Sequence, residues 1–282
     1  MKYLTAHDLD DATRLRELTG YPVLAGGTDL YPAIENGVAV PGVIDLSEVV
    51  ALRAPIGRDI QVWTIPALTT WTALVESDLP SQFDALRQAA VEVGGRQIQN
   101  AGTVGGNLCN ASPAADGVTA LLALDAEVVL QGRAGARVVP LADFILGNRR
   151  TVLRRDEILT AVRVRELPGI SASIFRKLGA RRYLVISIVM AAVQIGLDAK
   201  RRVRTARVAV GACADRSLRM EAVETALRGV SAVDLSTFTI GEDAMALLKP
   251  IDDVRSSAGF RRHAAKALLE ETIRDIPRFL SA

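Results

Sequence analysis

Hydrophobic residues in the first fifty positions change from helical to strand-like spacing. Apolar side chains recur on one helical side before a glycine, which predicts a first helix; these residues are Leu9, Ala12, Leu15, Leu18 and Gly20. Short apolar runs at 23–25 and 43–46 predict two buried strands. Between them we expect a Gly26-Gly27 turn and a short helix, capped by Thr28 and ended by Asn36-Gly37. This order predicts a βαβ unit with parallel strands.

A second segment begins near residue 54 and mixes the two kinds of spacing. It predicts a strand over 60–65, a helix from Thr70, and a helix over 83–93 that Gly94-Gly95 end. Ser112 and Pro113 suit the cap and first residue of a further helix reaching about Leu124. Antiparallel strands are expected at 126–132 and 136–141, and alternating apolar and polar residues predict another strand at 158–167.

The last third is expected to form a separate domain. Three apolar runs predict a three-stranded antiparallel meander, at 173–179, 185–197 and 203–213. Amphipathic helices are expected over 218–228 and 260–280. The predicted fold class is therefore α+β: two α/β subdomains, residues 1–54 and 55–170, and a C-terminal α+β domain, residues 171–282.

Composition excludes several classes of protein. Lys and Arg number 34 against 32 Asp and Glu, which argues against a nucleic-acid partner, and the basic run 200–204 is expected to be a hairpin turn. Two cysteines are too few for a disulfide framework or for a four-cysteine iron–sulfur or zinc site. The start lacks an apolar signal region, and the uncharged run 183–197 is shorter than the roughly 20 residues of a membrane helix. We expect a soluble, cytoplasmic protein.

Two glycine-rich turns carry the candidate chemistry. The first turn is Ala25 to Asp29, and the second runs from Gly102 through Gly105-Gly106-Asn107 to Ser112. Glycines let backbone N–H groups approach an anion, and a following helix adds a favourable dipole. Neither turn contains Lys or Arg, which favours the diphosphate of a large buried cofactor over a free phosphate. Neither matches G-x-G-x-x-G or G-x-x-x-x-G-K-S/T, and one glycine pair is also typical of a tight turn.

The motifs at these turns resemble those of a known family. "LAGGTDL" and "NAGTVGGNLCNASPAAD" are similar to the two FAD-binding signatures of the flavoprotein (medium) subunits of molybdenum hydroxylases. This family includes xanthine dehydrogenase, carbon monoxide dehydrogenase and 4-hydroxybenzoyl-CoA reductase, and has the PCMH-type FAD-binding fold. "FRKLGARR" resembles its F-x-K-x-x-x-R element, and "SSAGFRRHAAKALLEE" resembles its C-terminal Y-R-x-x-x-A helix, with Phe260 in place of Tyr.

The resemblance implies which residues bind FAD. They are Leu24, Ala25, Gly26, Gly27, Thr28 and Asp29 in the first turn, and Thr103, Gly105, Gly106, Asn107, Asn110 and Asp116 in and after the second. Ile158 and Leu159 would contact the isoalloxazine ring, and Lys177 would reach it from the third domain, unless Lys177 is a solvated strand lysine. Three residues depart from the family pattern without removing a backbone contact to phosphate: Pro22, Gln99 and Val185.

The resemblance also implies electron transfer rather than substrate chemistry. No His, Tyr or carboxylate pair lies in or beside the two turns, apart from Asp29 and Asp116 in the binding motifs, so no catalytic residue is predicted. Substrate would be oxidised at molybdopterin in a large partner subunit. Electrons would pass through two [2Fe-2S] clusters of a small partner to FAD and then to NAD⁺ or another acceptor. The expected assembly is a heterohexamer with two copies of each subunit.

Two other functions stay open at this point. One is a self-contained FAD-dependent oxidoreductase on the same fold, similar to the UDP-acetylenolpyruvoylglucosamine reductase group. The other is a non-enzymatic assembly subunit with a decayed FAD site. Cys109 is expected to be a small packed residue, and His7 and His263 to be surface residues. The substrate is not encoded in this chain, because the large partner would select it.

Overall fold

The computed structural model describes residues 1–182 and 184–280; Tyr183, which starts the predicted uncharged run, lies outside them. The described residues form ten α-helices, α1 to α10: Leu9–Thr19, Leu30–Glu35, Trp71–Val75, Asp84–Glu92, Arg96–Ala101, Val104–Asn110, Asp116–Ala123, Leu141–Phe144, Glu221–Leu227 and Ala258–Asp275. Their strands, β1 to β14, are Lys2–Thr5, Val23–Leu24, Gly42–Asp45, Gly57–Asp59, Val62–Pro66, Glu127–Gly132, Gly135–Pro140, Ile145–Gly147, Arg150–Thr151, Ile158–Arg165, Ser171–Leu178, Val189–Leu197, Val203–Gly211 and Leu218–Arg219. The predicted α+β class is confirmed.

The first sheet is parallel, with the strand order β1-β3-β2. β2, α2 and β3 confirm the predicted βαβ unit. The edge strand β1 was not predicted, because its four residues are exposed or half-buried and carry no apolar run. Helix α1 begins where the Asp8 side chain accepts from the Asp11 amide and ends at Gly20, whose φ is 67°. Leu18 is exposed rather than buried with the rest of its predicted face.

The second sheet is antiparallel, with the order β4-β5-β10-β6-β7. Its strands β6, β7 and β10 confirm the strands expected at 126–132, 136–141 and 158–167, and β5 confirms the strand expected near 60–65. The first two sheets and the helices between them share one hydrophobic core, whose largest buried side chains include Trp71, Phe83 and Phe144. This shared core fixes the position of the first glycine turn relative to the second.

The C-terminal sheet has four antiparallel strands, β11-β12-β13-β14, rather than the predicted three. Leu218 and Arg219, predicted to start a helix, instead pair with the end of β13. From this extended position the Arg219 guanidinium binds the carboxylates of Glu224 and Asp125. Helix α9 therefore starts only at Glu221. The basic run forms the predicted hairpin turn between β12 and β13.

Strand β12 is buried along its whole length because the C-terminal sheet is covered on both faces. Met190 and Ala192 join the core of the first two sheets, where α4 and α7 pack. Their neighbours Ala191 and Val193 point the other way and join the core beneath α10. A strand with two buried faces explains why this segment is apolar apart from Gln194.

The stretch expected to be a glycine-rich loop is largely helical. Helices α5 and α6 occupy it, and α6 ends at Ala111 in the left-handed conformation, with φ 47°. Helix formation here is supported by tertiary packing, since glycine and asparagine are weak helix formers on their own. The predicted cap of α2 is also wrong, because Asp29 rather than Thr28 precedes it and no side chain caps it.

The prediction that Ser112 and Pro113 start a helix is wrong. Helix α7 begins at Asp116, and the preceding residues form a turn in which the Ser112 hydroxyl accepts from the Ala114 amide at 3.3 Å. The Pro113 carbonyl accepts from the Ala212 amide at 2.9 Å, at the end of β13. The turn is therefore held against the C-terminal sheet instead of continuing as a helix.

A buried arginine ties helix α10 to the segment before β12. Arg261 is 1% exposed and donates to the Ile188 carbonyl at 2.8 Å and to Asp253 at 2.6 Å. Arg255 also pairs with Asp253 and donates to the Ser187 carbonyl at 3.1 Å. The hydrogen bond from Arg255 holds the pKa of the Asp253 carboxyl well below its usual range. These bonds fix the backbone at Ser187 and Ile188.

The boundaries expected near residues 54 and 170 stay predictions; strands β4 and β11 begin close to them, at Gly57 and Ser171. In residues 1–182 and 184–280, no helix has both the length and the apolar character needed to cross a membrane.

Candidate functional site

The two glycine turns lie directly against each other. Gly26 approaches the second turn so closely that a Cβ atom on it would stand 1.9 Å from the Ala101 carbonyl oxygen. The Thr28 hydroxyl lies beside Gly102, 3.4 Å from the position of a Cβ on that glycine. Glycine at position 26 is thus required by the contact between two backbones.

The first turn has a row of backbone amides without acceptors. In the described part of the chain, the N–H groups of residues 26–29 donate to no protein acceptor. Gly27 has φ 70°, a conformation that favours glycine, and the Tyr31 ring packs beside it. Unpaired amides gathered at a turn form a concavity that binds anions. Residues 26–29 therefore offer four free backbone donors, a set that suits a negatively charged ligand.

The second turn uses its amides within the protein, contrary to our expectation for both turns. The N–H groups of residues 104 and 105 donate to the carbonyls of Thr69 and Ala67, at 3.0 and 2.8 Å. Gly105 is buried, and a Cβ on it would lie 2.8 Å from Ala67. The Gly106 amide donates to the Thr103 hydroxyl at 3.1 Å. Any contribution of this turn to a ligand site comes from its side chains and shape.

The Thr103 hydroxyl caps helix α6 and gives a stability prediction. Thr103→Val removes the acceptor of the Gly106 amide and should lower the free energy of unfolding by about 1 kcal/mol. Thr103→Ser keeps the acceptor and is expected to stay within about 0.5 kcal/mol of the unsubstituted chain. Urea unfolding of the three proteins measures this, and equal losses in both variants would contradict a capping role.

The two asparagines of α6 have different surroundings. The Asn107 Oδ1 atom is buried and has no hydrogen-bond partner among the described residues. The Asn110 Oδ1 atom accepts from the guanidinium of Arg149, which also lies 4.0 Å from the Asp29 carboxylate. Because a buried unpaired carbonyl oxygen is costly, Asn107 suits a ligand that brings a hydrogen-bond donor.

Asp116 and Lys177 form a buried ion pair next to the second turn. Lys177 Nζ donates to Asp116 Oδ2 at 2.9 Å and to the Glu92 carbonyl at 3.2 Å, and the Ser187 hydroxyl donates to Asp116 Oδ1 at 2.8 Å. The Lys177 side chain is only 6% exposed, so it is not a solvated strand lysine. Burial raises the pKa of the Asp116 carboxyl, and the Lys177 ammonium opposes that rise. The pair joins α7 to β11 across the domain contact.

Three other predicted site residues are part of the hydrophobic core. Leu24 is 5% exposed at the end of β2, and Ile158 and Leu159 are 2% and 4% exposed at the start of β10. The structure thus brings together the residues of the two turns, Asp116 and Lys177. The contact of Ile158 and Leu159 with a flavin ring stays a prediction.

The structure also locates four residues that the sequence analysis discussed individually. Gln99, one of the departures from the family pattern, donates to the Val91 carbonyl at 3.0 Å. Cys109 is exposed rather than packed, so that expectation is wrong; surrounding protein atoms still desolvate its thiol and raise its pKa to about 12. A thiol with so high a pKa is a poor nucleophile. His7 and His263 are exposed, as predicted.

Sequence reasoning missed two residues that touch the site. Arg149 lies between β8 and β9, and Ser187 precedes β12; they stand 39 and 71 positions from their partners Asn110 and Asp116. No local signal marks either one. Within residues 1–182 and 184–280, no group of three or more His, Cys, Asp or Glu could hold a metal ion. Open amides and an unpaired amide oxygen fit the diphosphate and the hydroxyl groups of a dinucleotide.

Comparison with known proteins assigns both parts of the chain. Residues 1–166 match the family described as "FAD binding domain in molybdopterin dehydrogenase". Residues 174–276 match the "CO dehydrogenase flavoprotein C-terminal domain".

Three relatives illustrate the extent of the similarity. The nicotinate dehydrogenase FAD-subunit of Eubacterium barkeri is 39% identical over 181 residues, which span 62% of this chain and 61% of that protein. The 6-hydroxypseudooxynicotine dehydrogenase complex subunit alpha of Paenarthrobacter nicotinovorans is 30% identical over 96% of this chain and 92% of its own. A carbon monoxide dehydrogenase from Hydrogenophaga pseudoflava that lacks the Mo-pyranopterin moiety has a chain with TM-score 0.91 and 26% identity, covering 100% of this chain and 98% of its own.

The family match over more than half of the chain, together with a 30% identical relative that aligns along nearly all of it, shows that the chain belongs to the FAD-binding medium-subunit family of the molybdopterin dehydrogenases.

Proposed function

We propose that this chain is the FAD-binding electron-transfer subunit of a molybdenum-containing hydroxylase. It passes electrons from the [2Fe-2S] clusters of a small partner to NAD⁺ or another acceptor, and the large partner holds the molybdopterin. Two copies of each subunit form the assembly. The observation that carries the proposal is the row of open amides at residues 26–29, packed against the second turn inside the region that matches the FAD-binding family.

The first turn supplies the anchor for the diphosphate. Its four open amides donate to phosphate oxygens without any lysine or arginine from the turn itself. Asn107 Oδ1, unpaired in the described chain, accepts from a hydroxyl of the ribityl chain or of a ribose. When bound, FAD supplies the capacity to store electrons and to transfer them singly or in pairs.

The Asp116–Lys177 pair positions a positive charge toward the flavin ring. An ammonium group has three protons to donate, and two of those on Lys177 are used by Asp116 and Glu92. The third is left for an acceptor on the flavin. Ser187 and Lys177 each bond one oxygen of Asp116, which therefore keeps lone pairs for a ligand hydroxyl.

Neither carboxylate that the structure describes at the two turns is free to act as an acid or base on a substrate. In the described residues, the Asp116 carboxylate is already bonded to Lys177 and Ser187, and the Asp29 carboxylate faces Arg149. This favours electron transfer over the self-contained oxidoreductase. The intact amide row favours a working FAD site over a decayed one.

We expect the purified chain to be yellow, with one FAD per chain, and to lack substrate chemistry. Purines, aldehydes and carbon monoxide should leave its visible flavin absorbance unchanged under anaerobic conditions. Adding the molybdopterin and iron–sulfur subunits that copurify with it should let the true substrate bleach the flavin.

Two results would contradict this function. A colourless chain that takes up no added FAD would support the assembly subunit with a decayed site. Fast bleaching of the isolated, metal-free chain by an organic substrate would support the self-contained oxidoreductase. Dithionite reduction serves as the control, since it should bleach any bound flavin.

A further inference from the structure

We propose that Arg149 is the counter-ion of the FAD diphosphate, which makes the turn between β8 and β9 a third wall of the cofactor site. The inference rests on the proposed function and adds a binding residue to it. Arg149 contacts side chains near the C-terminal ends of both glycine turns, Asp29 at 4.0 Å and Asn110 by a hydrogen bond. It therefore lies where the ends of the two turns converge.

The charge of the ligand requires such a group. The diphosphate of FAD carries two negative charges, whereas the first turn contributes only neutral amides and the negative Asp29. A carboxylate beside a diphosphate is unfavourable unless a cation stands between them. Arg149 is within reach of Asp29 and presents a planar fork of five N–H donors, a geometry that matches phosphate oxygens.

The backbone holds Arg149 in place for this role. Its amide donates to the Ala111 carbonyl at 2.9 Å, and its φ of 58° is uncommon for a residue other than glycine. This anchors the turn between β8 and β9 to the end of α6, so the guanidinium stays next to Asn110. Anchored side chains lose less entropy when they bind a ligand.

A purely structural role would leave part of the side chain unexplained. If Arg149 only stabilised the C-terminal end of α6, its hydrogen bond to Asn110 would be enough for that role. The side chain is instead 57% exposed and lies 4.0 Å from the Asp29 carboxylate, which is 54% exposed, so protein atoms leave much of the guanidinium uncovered. The uncovered donors are available to a ligand seated on the amides of residues 26–29.

The experiment compares the binding of FAD and of riboflavin, which lacks the diphosphate, to apo-protein by fluorescence quenching. Arg149→Ala should weaken FAD binding about tenfold, the usual effect of losing one charge-assisted hydrogen bond, and leave riboflavin binding unchanged. Arg149→Lys keeps the positive charge but not the planar set of N–H donors, so it should weaken FAD binding less than Arg149→Ala does. Raising the salt concentration should reduce the difference in FAD affinity between the unsubstituted chain and Arg149→Ala.

Arg150→Ala is the matched control, because this exposed neighbour stands next in the chain. It should bind FAD like the unsubstituted protein. If Arg149→Ala fails to fold, Arg149→Gln, which keeps a donor for Asn110, takes its place with the same expectation. FAD binding within twofold of the unsubstituted chain, or an equal loss for riboflavin, would overturn the role of Arg149. An unsubstituted chain that binds no FAD would instead overturn the proposed function.

Discussion

Gly26→Ala is expected to abolish stable FAD binding. Its new Cβ atom would stand 1.9 Å from the Ala101 carbonyl oxygen and 3.0 Å from the Gly102 Cα. Both obstacles are backbone atoms, so the two turns must separate to admit the methyl group. Their separation displaces the open amides of residues 26–29 from the side chains of the second turn. We expect the variant to purify without flavin and to lose about 1–3 kcal/mol of stability, a usual cost of overpacking.

Gly57→Ala is the matched control for this prediction. Gly57 lies on β4, and a Cβ on it would meet nothing within 4 Å. The control should keep one FAD per chain and an unchanged melting temperature. The flavin-to-protein absorbance ratio and a thermal melt of both variants provide the comparison. Stoichiometric FAD in Gly26→Ala, at an unchanged melting temperature, would show that contact between the turns is not needed for binding.

Local signals in the sequence were enough to predict two of the three strands of the first sheet and three of the four strands of the last. The βαβ unit follows from two apolar runs around a glycine turn, and β11 to β13 follow from three long apolar runs. The failures lie where tertiary contacts outweigh local preference. Helix α6 contains two glycines and two asparagines, and it forms because Thr103 caps it and Gly105 fits against Ala67.

The glycine turns could be located from sequence, but the way each turn works could not. A glycine motif indicates that the backbone lies close to other atoms, but it does not identify those atoms. At Gly27 the left-handed φ requires glycine, whereas at Gly105 the neighbour is Ala67. Whether an amide is open or already bonded depends on residues more than thirty positions away, as with the bonds from 104 and 105 to Thr69 and Ala67.

The ionic part of the site was the least predictable. Asp116 and Lys177 were each assigned to the cofactor through the family motifs, yet the structure pairs them with each other across 61 positions of sequence. Ser187, which bonds the same carboxylate, stands in a segment whose departure from the motif was noted only for Val185. Long-range pairs of this kind hold residues of the C-terminal third of the chain against the candidate site.

Breaking this pair should produce a large and pH-dependent loss of stability. Lys177→Met removes the cation and leaves the Asp116 carboxylate buried with Ser187 as its remaining side-chain partner among the described residues. Loss of one member of a buried pair costs about 3–5 kcal/mol at neutral pH. The carboxyl, whose pKa is already raised by burial, would then hold a proton more tightly in the folded chain than in the unfolded one.

The pH dependence and a double variant separate this effect from simple loss of packing. A raised folded-state pKa stabilises the fold below the unfolded carboxyl's ordinary pKa of about 4, and this stabilisation is lost as pH rises through the folded pKa. Urea unfolding of apo-protein should therefore show a larger deficit for Lys177→Met at pH 8 than at pH 5. Adding Asp116→Asn to Lys177→Met removes the unpaired charge. The double variant should therefore recover most of the lost free energy of unfolding, and its remaining deficit should be the same at pH 5 and pH 8. A deficit that is equal at both pH values and unrelieved in the double variant would mean that Lys177 stabilises the domain contact through its packing alone.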